Sequence, residues 1–98
     1  MLIEYIRYEI PAPQHAEFLA AYAAAARELD ATPHCQRHEI SQGLEEPDHF
    51  VVRLEWDSLE GHEQGFRNGP HFPPFFALVR PYFGAIREMK HYEVRLAG

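Results

Sequence analysis

Two histidines occupy settings from which an imidazole could take a proton from a substrate. His71 lies in the loop before the last predicted helix, and His38 lies beside Ile40 on the apolar face of a predicted strand. Arg67 could steady an oxyanion that develops after proton removal, and Tyr8 and Tyr82 could donate phenolic hydroxyls. Phe66, Phe72, Phe75 and Phe76 crowd the stretch after Trp56, which is enough aromatic surface to hold a planar substrate or simply to fill a core. Each of these residues also has a plain structural use: packing for His38 and the phenylalanines, a helix start for His71, a strand-to-helix corner for Trp56.

Other chemistries fail on supply or spacing. His34 and His38 are four residues apart on a predicted strand, ~13 Å, too far to share a metal ion. No HExxH sequence occurs, Ser41 and Ser58 sit in no GxSxG turn, and no glycine-rich phosphate loop is present, so no metal ligand set and no serine nucleophile is expected. Cys35 is the only cysteine, which excludes an internal disulfide and a cysteine cluster and suits a small buried hydrophobe. A formal net charge of −6 argues against nucleic acid as a partner. No apolar run nears the ~20 residues of a membrane span, and Met1-Leu2-Ile3-Glu4-Tyr5 does not begin like a secretory signal, so a cytoplasmic protein without membrane association is expected.

The elements that must position these residues follow from periodicity. Leu2 to Ile10 reads as a strand with Leu2, Ile6, Tyr8 and Ile10 on one face and Ile3, Tyr5, Arg7 and Glu9 on the other. Phe18, Leu19, Tyr22, Ala26 and Leu29 recur at helical spacing in an alanine-rich run, which predicts a helix from about Gln14 to Leu29. His34 to Gln42 and His49 to Trp56 are the next strands, joined by a turn-forming loop. Asp57-Ser58-Leu59-Glu60 has capping-box spacing and should start a short helix from Leu59 to Arg67. A second helical stretch runs from about Pro73 to Ile86, with a kink expected at Pro81. The tail from about Glu88 to Leu96 closes the domain as a fourth strand, with Tyr92, Val94 and Leu96 facing the core and His91, Glu93 and Arg95 facing away. The order βαββαβ predicts one α+β domain over residues 1–98, ferredoxin-like with a four-stranded antiparallel sheet.

Every strand carries an Arg and a Glu two residues apart: Arg7 and Glu9, Arg37 and Glu39, Arg53 and Glu55, Glu93 and Arg95. A period of two puts each pair on one face, opposite the face that helices must cover. Such a face could be merely solvated, but the repeated Arg, with its planar fork, suits an interface, and a freely solvated face would be expected to include some Lys. A partner sheet is therefore expected, and the protein is read as a homodimer. At 98 residues folding hides only ~65% of the unfolded chain's surface, so association would also help stability.

These residues resemble the antibiotic biosynthesis monooxygenase domain family over almost the whole chain. The carriers are Ile6-Arg7-Tyr8 before a proline turn, a helix with Glu17-Phe18, Pro33-His34-Cys35 entering the second strand, Phe50 to Leu54 leading into Glu55-Trp56-Asp57-Ser58-Leu59-Glu60, and Pro70-His71-Phe72 with Phe75-Phe76. The resemblance implies a dimeric α/β barrel with a pocket inside each protomer, between the apolar sheet face and the later helices. There an aromatic or polyketide-like substrate would react with O2 without metal, flavin or other cofactor. The positions matching the Asn and Trp of haem-degrading relatives are Ile6 and Phe66, so haem degradation by that route is not expected. The His that many relatives carry after the tryptophan falls near Gly65 or Phe66, with His62 nearby but off-face. The expected activity is thus a cofactor-independent quinol-type monooxygenase with His71 or His38 as base and Tyr8, Trp56, Phe66, Arg67, Phe72, Phe76 and Tyr82 around the substrate. The alternative is a dimer without catalytic activity that binds a small hydrophobic ligand or supports a partner protein.

Overall fold

The computed structural model describes residues 1–98, and its elements alternate as the sequence periodicity requires. Strand β1 spans Leu2–Glu9, helix α1 His15–Ala31, β2 Cys35–Gln42 and β3 His49–Trp56. A π-helical turn over Gly61–Phe66 follows, then helix α2 Phe72–Val79, a 3-10 segment Arg80–Ala85, and β4 Ile86–Glu93. The four strands form one antiparallel sheet in the order β2-β3-β1-β4, the ferredoxin-like arrangement. No helix is long and apolar enough to cross a membrane.

The helices cover one sheet face because that face is where β1 and β3 concentrate their large side chains. Ile6, Tyr8, Val52, Leu54 and Trp56 point inward and are buried against Phe18, Tyr22, Ala25 and Leu29 of α1. The buried stripe of α1 uses Ala25 rather than Ala26, and Leu19 is 41% exposed, because the helix axis is set by its three largest residues. Phe18 sits at the centre of an aromatic cluster, within 5.0–5.2 Å (ring centroids) of Tyr8, Tyr22, Phe50 and Tyr82.

The segment after β3 starts where expected but with a different cap. Ser58 Oγ accepts the Gly61 backbone N–H at 2.9 Å, whereas Asp57 is taken by the His34 ring at 2.8 Å. The turn then widens, with Arg67 N–H donating to the carbonyl of His62, five residues back, at 3.1 Å. The helix expected from Pro73 to Ile86 begins at Phe72 and tightens into 3-10 geometry at Arg80, next to Pro81, whose ring prevents an α-helical bond.

The fourth strand is displaced from its expected position and shows opposite faces. It begins at Ile86 and ends at Glu93, so Arg95 lies beyond it, and a bulge at Arg7/Tyr8 sets its register. Met89, His91 and Glu93 pair with Ile6, Glu4 and Leu2 on the helix side, while Glu88, Lys90 and Tyr92 pair with Arg7, Tyr5 and Ile3 on the open side. The Tyr92 ring lies on the open face, 5.5 Å from that of Tyr5. Ile86 packs on the core from the start of β4, and the later apolar residues Met89, Tyr92, Val94 and Leu96 are left partly or wholly exposed.

Three of the four expected Arg and Glu pairs therefore share the open face, and the pair Glu93 and Arg95 does not. Arg53 donates to Glu55 at 2.7 Å, with Arg37 3.8 Å from Glu55 and 3.6 Å from Glu39. Glu9 turns to Arg87 at 3.0 Å, which keeps its carboxyl below the usual carboxylate range, while Arg7 pairs across the strands with Val51 and Glu88. Lys90, the only lysine, also lies on this face.

Phe18→Ala removes the ring that every neighbour in the cluster touches and is expected to lower unfolding stability by about 3–5 kcal/mol. Urea denaturation followed by far-UV circular dichroism measures it, and a loss under about 1 kcal/mol would mean that the cluster refills the space.

Candidate active site

Between the covered sheet face and α2 lies a cavity walled by aromatic rings and closed at one end by polar groups. Tyr8, Trp56, Phe66, Arg67, Phe72 and Phe76 line it, all positions where the sequence suggested a ligand wall, and Tyr22, Phe75 and Phe83 extend it. The cavity volume is about 50 Å³, a narrow slot beside the roughly 300–1,000 Å³ of ordinary ligand sites, so an aromatic ring enters only when wall side chains shift. Phe83 and Met89 lie at its wall and are partly exposed, so their side chains can move to admit a ligand.

Three expected site residues stand elsewhere. Tyr82 packs behind the wall against Phe18. His71 is at the start of α2, its ring 3.1 Å from Glu28 Oε1, and His38 is near the outer edge of the sheet, its ring 2.6 Å from Asp30 Oδ1. Both histidine side chains are about one-third exposed, and neither lines the aromatic cavity. The dry setting that a base of this kind requires is therefore absent at both positions as the chain stands.

The polar end of the cavity is built from residues that the sequence pattern did not single out. Glu4 lies between Leu2 and Ile6 on the inward side of β1 and is 3% exposed. Its Oε1 accepts a hydrogen bond from the Trp56 indole N–H at 3.1 Å. His62, on the π-helical turn, is 4% exposed and stacks on Trp56 with ring centroids 4.3 Å apart and an interplanar angle of 16°. Widening the turn brings His62 and Phe66 together over the indole, so the imidazole expected off-face points inward. His91 reaches in from β4: its Nε2 lies 2.9 Å from His62 Nδ1 and 3.9 Å from Glu4 Oε2.

Burial decides the charge state of this group. It pushes the Glu4 carboxyl above its ordinary range, against the opposing pull of the Trp56 hydrogen bond and of His91 and Arg67. Burial, together with nearby His91 and Arg67, pushes His62 down to about 4, so its imidazole is neutral near pH 7 and its approach to Glu4 is not an ion pair. Across the cavity the phenols of Tyr8 and Tyr22 share a hydrogen bond of 2.5 Å. Burial pushes Tyr8 up to about 12 and Tyr22 higher still, so both stay protonated; one O–H is donated to the other phenol, and the second is left to donate to an oxygen of a bound ligand. The site therefore offers a carboxylate for taking a proton, one free phenol O–H and the Arg67 guanidinium for an oxyanion, and stacked rings for an aromatic body. Glu4 had one visible signal, its parity with Leu2, Ile6 and Tyr8. His91 had none, because the bulge that turns it inward leaves no local mark.

Comparison with known proteins agrees with this architecture. Residues 1–78 match the antibiotic biosynthesis monooxygenase family. The Bacillus subtilis protein YczJ, whose function is uncharacterized, is 26% identical over 77 residues, which are 79% of this chain and 81% of its own. A Bordetella bronchiseptica protein assigned to the same family superposes with a TM-score of 0.83 at 20% identity, with 97% of each chain covered. SnoaB of Streptomyces nogalater, a cofactor-independent oxygenase solved as a point mutant, superposes with a TM-score of 0.78 at 19% identity, covering 98% of this chain and 94% of its own. With a four-stranded sheet covered on one face by helices and the matched segment accounting for most of its length, this chain belongs to the antibiotic biosynthesis monooxygenase family.

Proposed function

We propose that this protein is a cofactor-independent monooxygenase that oxidises a phenolic, quinol-type aromatic with O2 in the slot between sheet and helices. The observation that carries the reading is a buried carboxylate, Glu4, at the polar end of an otherwise aromatic cavity. In this reading Glu4 takes the phenolic proton, and the phenolate gains electron density at its ortho and para carbons. Arg67 and the free O–H of the Tyr8 and Tyr22 pair favour the anion over the neutral phenol, which is what lowers the barrier to electron donation. O2 adds to a ring carbon that bears hydrogen, para or ortho to the oxyanion in a phenol or naphthol and ortho to it in a quinol, Glu4 returns its proton to the distal oxygen, and the resulting hydroperoxide loses water as its O–O bond and that C–H bond break. One substrate and one O2 thus give one quinone, a hydroxyquinone where the substrate is a quinol, and one water, and no external reductant is needed. The stacked rings exclude bulk water from the reactive anion.

The open sheet face belongs to a homodimer in the same reading. Ile3 and Glu55 are buried there already, and Tyr5, Tyr92 and the linked guanidinium and carboxylate groups of Arg37, Arg53 and Glu55 provide a mixed apolar and charged surface. Ion pairs of this kind select register and partner more than they add stability, about 0–1 kcal/mol each where exposed.

Oxygen uptake with a series of naphthols and reduced quinones, with quinone product followed by mass spectrometry, tests the activity. Glu4→Gln is expected to lower kcat by about 10²–10⁴-fold with its ligand still bound, while His38→Ala and His71→Ala turn over at the wild-type rate. Binding of these aromatics with no oxygen uptake above the buffer rate would instead favour a ligand-binding dimer without catalytic activity.

Sedimentation equilibrium is expected to give a particle of twice the 11.4 kDa chain mass. Tyr92→Asp, which adds a carboxylate to the open sheet face, should weaken the dimer about ten-fold or more, a change of about 1.4 kcal/mol. A wild-type protein that stays at 11.4 kDa at high concentration would remove the dimer.

A further inference from the structure

We infer that Glu4, His62 and His91 form a binding site for one divalent transition-metal cation of the Zn²⁺ or Co²⁺ type. The chain has several histidine and carboxylate pairs, but others, such as His34 with Asp57 or His71 with Glu28, are partly exposed. In the Glu4 group two of the three members are 3–4% exposed, and one ligand atom from each residue can be chosen so that all three lie within 4.8 Å of one another.

The two separations between histidine and carboxylate fit a shared ion better than they fit direct bonds. A tetrahedral ion with bonds of about 2.0–2.2 Å holds its ligand atoms about 3.4 Å apart. His62 Nε2 lies 3.4 Å from Glu4 Oε1, and His91 Nε2 lies 3.9 Å from Glu4 Oε2, long for hydrogen bonds. His62 Nδ1 and His91 Nε2 are hydrogen-bonded at 2.9 Å, so an ion held by His62 Nε2, Glu4 and His91 Nε2 would replace that bond. Two imidazoles and a carboxylate are a ligand set for a borderline metal, not for Ca²⁺ or Mg²⁺, which take oxygen.

The surroundings supply the rest of a metal site. The Trp56 N–H holds Glu4 Oε1 and its ring backs His62, which fixes two ligands before an ion arrives. Three protein ligands leave the fourth position toward the aromatic cavity that Glu4 and His62 both line. Arg67, near both, works against the cation, and the Glu4 carboxylate offsets it. His91 lies on β4, beyond the family-matched residues 1–78, so the complete set depends on how β4 pairs with β1 in this chain. The inference extends the proposed function at one point: a metal on Glu4 occupies the group assigned to take the substrate proton, and so would inhibit the oxidation.

The test is a titration of chelator-treated full-length protein with Co²⁺, read by visible absorption without any substrate, followed by displacement with Zn²⁺. One equivalent per chain should give the strong visible bands of a four-coordinate ion, and Zn²⁺ should abolish them. His91→Ala, at a part-exposed strand position, should lose the bands and weaken Zn²⁺ binding by about 10-fold or more, His91→Cys should restore binding with a sulfur charge-transfer band, and His38→Ala should bind like wild type. Absent bands, or equal binding by wild type and His91→Ala, overturn the site whatever the oxygen assay shows. Where turnover is detected, Zn²⁺ at saturation should stop it and chelator restore it; undiminished turnover with Zn²⁺ bound would refute the competition for Glu4.

Discussion

The hydrogen bond from the Trp56 indole to Glu4 joins the two halves of the site, since it links the end of β3 to the middle of β1 beneath the π-helical turn. A carboxyl group taken out of water costs several kcal/mol unless something compensates, and here the compensation comes from one indole N–H, the nearby His91 ring and the Arg67 guanidinium. The same indole carries the His62 ring on its face and the Phe66 ring at 5.1 Å. The polar end of the cavity and its aromatic wall are therefore positioned by one fully buried side chain, and the sheet face below must remain apolar for it to stay dry.

The widened turn over Gly61–Phe66 is the local device that makes this possible. An ordinary α-helical course would close each bond four residues back, whereas the bond from Arg67 to the His62 carbonyl spans five. The extra residue lets His62 and Phe66 both lie over Trp56 while Arg67 reaches the cavity and remains exposed. A guanidinium at the boundary keeps its hydration and can still meet an anion inside, so a charge that would be costly in the core is held at its edge.

The open sheet face obeys a different balance. Its ion pairs link β2 and β3, but Tyr5, Tyr92 and Ile3 on β1 and β4 make it neither a simple charged surface nor an apolar one. The shift of β4 is responsible: Tyr92 leaves the core side, and His91 replaces it there. One exchange of faces thus adds an aromatic ring to the outer surface and an imidazole beside His62 at the edge of the cavity.

From the residue pattern, the strand and helix order, the apolar side of β1 and β3, the aromatic composition of the cavity wall and three of the four Arg and Glu pairs can be read, because periods of two and 3.6 are local properties. Glu4 was within reach of the same parity rule, yet an isolated acid between apolar neighbours carries little weight until burial is known. The burial of His62, the approach of His91 to it and the separation of His38 and His71 from the cavity were decided by tertiary structure alone. A π-helical turn and a β-bulge each shift register by one residue, and such a shift redirects side chains without changing any local sequence signal. The chain's own pattern therefore specifies its layers and its oily slot, while the long-range pairing of β4 with β1 determines which ionisable groups meet there.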